Sequence, residues 1–184
     1  MSEAVTPADR YRRVAAGFDA RLAALGPGVW SAPVPTCPEW TVQDLVIHVV
    51  GVHHAVLGTV RPDESAPGTG DLVAAWRGQR DLVLGALADP ELAGRTVGGA
   101  FGDQPFASLV GRVLCSDTVV HTWDLARAAG LDEHLDSEAC AAALGFLEPL
   151  GEALRRPGAF GPAVAPAGDA DGQTRLLNFT GRQV

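Results

Sequence analysis

The segment from Cys115 to Arg127 (CSDTVVHTWDLAR) constrains the fold of this chain more than any other. Its apolar residues repeat at helical spacing, which predicts the middle of a long amphipathic helix. Yet Asp117, His121 and Asp124 fall within about 60° of the apolar line of that helix, at about 100° per residue. An isolated carboxylate in a dry interior is costly unless it is paired, protonated or bound to a metal. We therefore expect a compensating partner, and a divalent metal is the first hypothesis.

A metal site would need ligands from more than one helix. Asp117 and His121 are four residues apart, so their side chains stand one turn apart on one helix face and suit a single ion. The expected third ligand is His48, which lies among apolar residues in the middle of an earlier helix. Two imidazoles and one carboxylate leave positions open for water or substrate, as in catalytic rather than structural zinc sites.

Other interpretations of these residues stay open. Asp117 and His121 could form a hydrogen-bonded Asp–His pair in the core without a metal. Asp124 could orient His121, or it could accept a hydrogen bond from a backbone N–H or from Arg127.

The remaining polar residues have simpler interpretations. Asp44 fits a helix cap. His53 and His54 point about 140° and 240° away from His48, which predicts surface or inter-helix positions. His134 lies in a predicted turn, and Cys115 is expected to be a small core residue.

Helical periodicity and capping signals predict an all-α bundle of four main helices. These helices are expected near residues 6–25, 41–57, 71–87 and 105–129, followed by a fifth from 136 to about 155 and a last helical turn at 174–180. Thr41 and Asp44 fit a capping box at the start of the second helix, and Gly130 fits a left-handed C-cap at the end of the fourth. Residues 29–40 hold three prolines and predict an extended connector pressed onto the protein by its two tryptophans. Residues 89–104 predict a long loop or a short β excursion, and residues 157–171 a coil. We expect a single domain over residues 1–184.

Composition excludes several classes of partner. The formal charge of −8 and the pI near 5.0 argue against nucleic acid and anionic membranes. No uninterrupted apolar run approaches the roughly 18 residues of a membrane span, and no signal-peptide core is present. All 14 basic residues are arginine, which excludes a catalytic lysine. The three cysteines form no CxxC pair, which favours a reduced, cytoplasmic setting.

Four segments resemble a known family. Residues 35–48 (PTCPEWTVQDLVIH) are similar to its "PCPGWTVxDLxxH" element, and residues 117–130 (DTVVHTWDLARAAG) to its "E/DxxxHxWDLARAxG" element. Residues 158–162 and 176–182 resemble the tail of a small single-domain subfamily. The family is the DinB/YfiT-like metalloprotein superfamily, in the branch that contains the N-terminal domain of mycothiol-dependent maleylpyruvate isomerase.

The resemblance implies a DinB-like four-helix bundle with an extra C-terminal helix and a Pro/Gly-rich tail. It implies that His48, Asp117 and His121 hold a divalent metal, most often zinc, with nickel also seen. It further implies a low-molecular-weight thiol cosubstrate, such as mycothiol or bacillithiol, which attacks a small electrophile as a thiolate. In such a site Asp124 and Arg127 could bind the cofactor, by orienting the metal ligands or the substrate. The isomerase has glutamate where this chain has Asp117, so the helix must come closer to the metal here or bind it in another mode.

These observations give two hypotheses of different classes. The first is a metal- and thiol-dependent transferase or isomerase. The second is a metal-binding protein without catalysis, for storage, sensing or partner binding. A bundle whose buried polar groups satisfy one another without a metal is the third interpretation. Because its helices are apolar on several sides, the bundle could also form a homodimer.

Overall fold

The chain is mainly helical in a computed structural model that describes residues 5–155 and 160–184. The helices are α1 (Pro7–Ala23), α2 (Val42–Gly58), α3 (Leu72–Ala88), α4 (Pro90–Gly94), α5 (Phe106–Leu109), α6 (Cys115–Ala129), α7 (Ser137–Leu147) and α8 (Gly172–Phe179). The strands form two short antiparallel pairs, β1 (Pro33–Val34) with β2 (Cys37–Thr41) and β3 (Thr96–Val97) with β4 (Gln104–Pro105). The predicted all-α class is confirmed.

Four long helices build the bundle. Helix α1 packs against α3 and α6, and α2 packs against the same two helices, so α1 and α2 face each other across the bundle. Large side chains from all four helices are fully buried between them, including Phe18, Leu45, Trp76 and Trp123. Helix α7 packs on α6, and α8 packs on α7 as the extra C-terminal helix. The predicted DinB-like bundle is therefore confirmed.

Local capping sets the ends of the helices that carry the polar cluster. At the start of α2, the N–H of Asp44 donates to Thr41 Oγ1 (3.3 Å), and the N–H of Thr41 donates to Asp44 Oδ2 (2.9 Å). This is the predicted capping box. Helix α6 ends at Ala129 and is capped by Gly130, whose φ of 65° is in the left-handed region that glycine favours. Both predicted caps are confirmed.

Helix α6 does not begin where its apolar pattern begins. Helix α5 continues into a π-helical turn, Val110–Leu114, and only then into α6. Single π-helical turns inserted in α-helices are frequent near functional sites. At this turn Gly111 lies against Pro7, where an added Cβ would come within 3.0 Å of the Pro7 Cβ. The close approach of α1 explains why glycine occupies this position.

Two predicted segments differ in the structure. The fifth helix was predicted to reach about residue 155, but α7 ends at Leu147 and a 3₁₀ segment, Glu148–Leu154, follows. Pro149 lacks the N–H that an α-helix needs at this point, and Gly151 leaves helical geometry at φ 49°. Residues 89–104 contain the β3 strand, as predicted, and also the unpredicted helix α4, which begins with an Asp89 cap and a first-turn proline.

The connector and the tail lie as their composition predicts. The connector contains the β1–β2 hairpin, and its Trp30 and Trp40 are half-buried against the core. Residues 160–171 contain no helix or strand, whereas residues 157–159 of the predicted coil lie outside the described residues. In α8, Leu176 and Leu177 are fully buried. None of the described helices has the length and hydropathy of a membrane span.

Candidate metal centre

The three predicted ligands meet between α2 and α6. His48 comes from α2, Asp117 and His121 come from α6, and one ligand atom of each lies within 4.8 Å of the others. His48 Nε2 is 3.2 Å from Asp117 Oδ1, and His121 Nε2 is 3.7 Å from the same oxygen. The two imidazole rings meet edge to face, with centroids 4.9 Å apart. Two imidazole nitrogens and one carboxylate oxygen therefore converge at one place between the two helices.

This cluster is partly open to solvent. The side chain of His48 is 32% exposed, whereas that of His121 is 10% exposed. The indole ring of Trp40 lies beside both imidazoles, with centroid distances of 4.9 Å to His48 and 5.9 Å to His121. A ligand could therefore approach from the His48 side, while α6 closes the inner side of the cluster.

Asp117 carries a carboxylate oxygen that no described residue satisfies. Its Oδ2 is buried and has no hydrogen-bond partner within the described part of the chain. Burial acts to raise the pKa of Asp117, but the neighbouring His121 and His48 outweigh it and hold the pKa below its ordinary value. Asp117 is thus an ionised acceptor facing two imidazoles.

His121 is oriented from behind by Asp124. The His121 Nδ1 lies 2.9 Å from Asp124 Oδ2. The Asp124 carboxylate is fully buried and also accepts from the Thr36 hydroxyl (2.6 Å) and from Arg182 Nε (3.2 Å) and Nη2 (2.7 Å). Burial acts to raise the pKa of Asp124, but the hydrogen bond from His121 and the Arg182 guanidinium hold it far below its ordinary value. Since an ionised carboxylate can only accept, His121 donates through Nδ1–H.

The hydrogen bond between His121 Nδ1 and Asp124 determines which nitrogen of His121 is left unprotonated beside Asp117. A neutral His121 with its proton on Nδ1 presents an unprotonated Nε2 to the Asp117 carboxylate, so two acceptors face each other. A cation between them, either a proton or a metal ion, would remove this conflict. The donor set of two imidazole nitrogens and one carboxylate is typical of zinc, and a carboxylate behind a ligating histidine is typical of such sites. The residues present therefore fit a divalent metal.

Arg127, which the sequence analysis gave with Asp124 as a possible cofactor-binding residue, does not contact Asp124 through a hydrogen bond within the described part of the chain. Its Nη2 donates to Glu133 (2.7 Å), and its guanidinium lies over the Trp123 ring, 4.5 Å from the centroid. The base paired with Asp124 is instead Arg182. Direct binding of a cofactor by Asp124 or Arg127 stays a prediction.

Sequence reasoning missed Thr36 and Arg182. Both lie in segments that carried the family resemblance, but no spacing rule joins Arg182 to Asp124, 58 residues earlier. The other histidines lie outside the cluster. His53 is fully buried between helices, beside the rings of Tyr11 and Trp76.

Comparison with known proteins identifies one matching family. The sequence matches the family described as "Mycothiol maleylpyruvate isomerase N-terminal domain" over residues 11–126, which include all three clustered residues. It is 31% identical to an uncharacterized protein of Mycobacterium tuberculosis strain CDC 1551 / Oshkosh over 154 residues, which cover 83% of this chain and 84% of that protein. An uncharacterized protein of strain H37Rv matches to the same extent. No solved structure matches the chain significantly. The chain belongs to the mycothiol maleylpyruvate isomerase N-terminal domain family.

Proposed function

We propose that His48, Asp117 and His121 bind a divalent metal, zinc before nickel, and that the protein is a thiol-dependent transferase or isomerase. Mycothiol is the proposed cosubstrate, because the family is described by that thiol, and a small electrophile is the proposed substrate. The cytoplasm, where cysteines stay reduced, is the proposed setting.

One observation carries the metal-binding proposal. An acceptor nitrogen of His121 and the carboxylate of Asp117 face each other at 3.7 Å, while the second carboxylate oxygen of Asp117 is buried without a partner among the described residues. Buried polar atoms in proteins are nearly always satisfied. A divalent cation would satisfy all three of these atoms together with His48 Nε2.

The chemistry follows from what surrounds this position. A bound divalent metal would supply a Lewis acid at which a thiol is held as thiolate near neutral pH. Asp124 keeps the Nδ1 proton of His121, so that Nε2 stays free to bind. Trp40 shields one side of the two imidazoles from water, and the partly exposed His48 marks the side from which thiol and electrophile would enter.

A non-catalytic metal-binding protein is the second candidate. Each ionisable group of the cluster is already a proposed ligand, and Asp124 is occupied by Thr36, Arg182 and His121. The described cluster thus holds no additional group free for acid–base catalysis. A storage, sensing or partner-binding role needs only the metal.

Metal analysis tests the part that both candidates share. Untagged protein purified without chelator is expected to hold close to one zinc or nickel ion per chain by mass spectrometry. His121→Ala should lose it, whereas His134→Ala, which replaces an exposed histidine outside the cluster, should keep it. Metal-free wild-type protein that takes up no zinc, or unchanged metal content in folded His121→Ala, would rule out both candidates.

Cobalt substitution then separates the enzyme from the non-catalytic protein. Mycothiol added to the cobalt protein is expected to produce a thiolate-to-cobalt absorption band at micromolar thiol. N-acetylcysteine, which lacks the sugar part, serves as the control. If mycothiol binds no more tightly than this control, the thiol-dependent reaction is wrong and the non-catalytic role remains.

A further inference from the structure

The strongest unassigned feature is the contact between the C-terminal tail and Asp124. Arg182 is 6% exposed, and its guanidinium forms two hydrogen bonds with the fully buried Asp124 carboxylate, one to each oxygen. Such fork-to-fork pairs fix the orientation of both partners. The pair joins two segments that are 58 residues apart in the chain.

Asp124 has no acceptor capacity left. Its Oδ1 accepts from Thr36 and from Arg182 Nε, and its Oδ2 accepts from His121 and from Arg182 Nη2. A carboxylate offers about four lone-pair positions, so four donors saturate it. Thr36 and Arg182 therefore fix the orientation of the Asp124 carboxylate. The carboxylate in turn fixes the orientation of the His121 ring.

The turn that follows α8 holds Arg182 next to Asp124. After α8 the chain turns through Gly181, whose φ of 86° is left-handed, and an added Cβ there would meet the Pro162 carbonyl oxygen at 3.1 Å. The backbone N–H of Arg182 donates to the Leu177 carbonyl (2.8 Å), and its Nη1 donates to the Thr180 carbonyl (2.8 Å). The guanidinium is thus anchored by its own turn as well as by Asp124.

We propose that Arg182 is a positioning residue of the metal centre: by clamping Asp124 it holds the proton of His121 on Nδ1 and aims Nε2 at Asp117. Arg182 does not touch the metal position itself and acts through two intervening side chains. This inference rests on the proposed metal-binding function, but its effect on the His121 ring is present in the metal-free protein as well.

Two variants weaken the clamp by different routes. Arg182→Lys keeps the charge but cannot form the fork, and Gly181→Ala keeps the arginine but strains the turn that delivers it. Each is expected to lower zinc affinity about 10- to 100-fold, the usual effect of losing the group that orients a ligating histidine. Arg175→Lys is the matched control, because Arg175 is an exposed residue of α8. Affinity is measured by competition with a chromophoric chelator, and folding of each variant by circular dichroism.

A second measurement does not depend on metal. Proton–nitrogen correlation spectra of the histidine rings in metal-free protein at pH 8 distinguish the Nδ1–H from the Nε2–H tautomer. Wild-type protein and the control should show His121 as the Nδ1–H form, and the two tail variants should show a mixture. If wild-type protein binds no zinc, the proposed function fails while the ring spectra still test Arg182.

Two results would overturn the assignment of Arg182. One is zinc affinity within twofold of wild type in a folded tail variant. The other is an Nε2–H tautomer of His121 in the metal-free wild-type protein, which decides the question even if neither variant folds.

Discussion

Acid is expected to destabilise this protein through His53, a histidine outside the cluster of His48, Asp117 and His121. Its ring is fully buried beside Tyr11 and Trp76, and its Nδ1 lies 2.7 Å from the Val49 carbonyl oxygen. Since a carbonyl only accepts, Nδ1 carries the proton, and the buried Nε2 has no partner among the described residues. Protonation would place an unpaired cation in the core. Burial accordingly lowers the pKa of His53 from 6.5 to about 4.

The size of the effect follows from linkage. The unfolded chain binds a proton at His53 below pH 6.5 and the folded chain only below about pH 4, so the unfolded state holds more protons between these values. The free energy of unfolding therefore falls as the pH falls through this window. At about 1.4 kcal/mol per pH unit, His53 should remove about 2 kcal/mol of stability by pH 5 and roughly 3 kcal/mol by pH 4.

Urea unfolding of wild type and His53→Leu at pH 7, 6 and 5 measures this contribution. Both proteins are kept metal-free with chelator, so that bound metal does not contribute to the difference between them. The advantage of wild type over the variant should shrink by about 2 kcal/mol from pH 7 to pH 5. The exposed His134→Leu should show no such change. Parallel pH profiles of wild type and His53→Leu would refute the argument.

Two further predictions concern packing and thiol access. Gly111→Ala should lower the free energy of unfolding by about 1–3 kcal/mol, because the new Cβ would lie 3.0 Å from the Cβ of the proline that begins α1. Gly145 is exposed on α7, and an added Cβ there would meet nothing within 4 Å. Gly145→Ala should therefore leave the free energy of unfolding unchanged or raise it by up to about 1 kcal/mol. Thermal unfolding compares the two, and equal shifts would contradict the packing argument. An aromatic disulfide reagent should label only the half-buried Cys37 in native protein, because Cys115 and Cys140 are buried and burial raises the pKa of each to about 12. Rapid labelling of more than one thiol before unfolding would contradict the prediction that only Cys37 is accessible.

The elements that the sequence predicted well depend on local physics. The capping box at Thr41 and Asp44 and the glycine cap at Gly130 involve residues within one turn of each other, so their signals are complete in the sequence. The four bundle helices follow in the same way from apolar periodicity. Where a local signal was overlooked, as at Pro149 in the predicted fifth helix, the predicted boundary was wrong.

In the cluster of His48, Asp117 and His121, too, the local contacts could be predicted and the distant ones could not. Asp117 and His121 could be paired from their spacing, because one helix turn separates them. Their approach to His48 was a hypothesis until α2 and α6 were seen to pack together. For Asp124 the sequence left open that it orients His121 or that it accepts from a backbone N–H or from Arg127. In the structure Asp124 pairs with His121 and with Arg182.

The sequence by itself determined that polar groups would lie on the buried face of one helix and that this helix would belong to an all-α bundle. These conclusions follow from a 3.6-residue period and from the cost of burying a charge, and neither needs a partner to be known. Only the tertiary structure decided which side chains meet those groups. Thr36 comes from a hairpin connector and Arg182 from a tail beyond α8, and their approach depends on how distant segments pack. Sequence periodicity cannot predict such packing, because the packing arises from contacts between residues far apart in the chain.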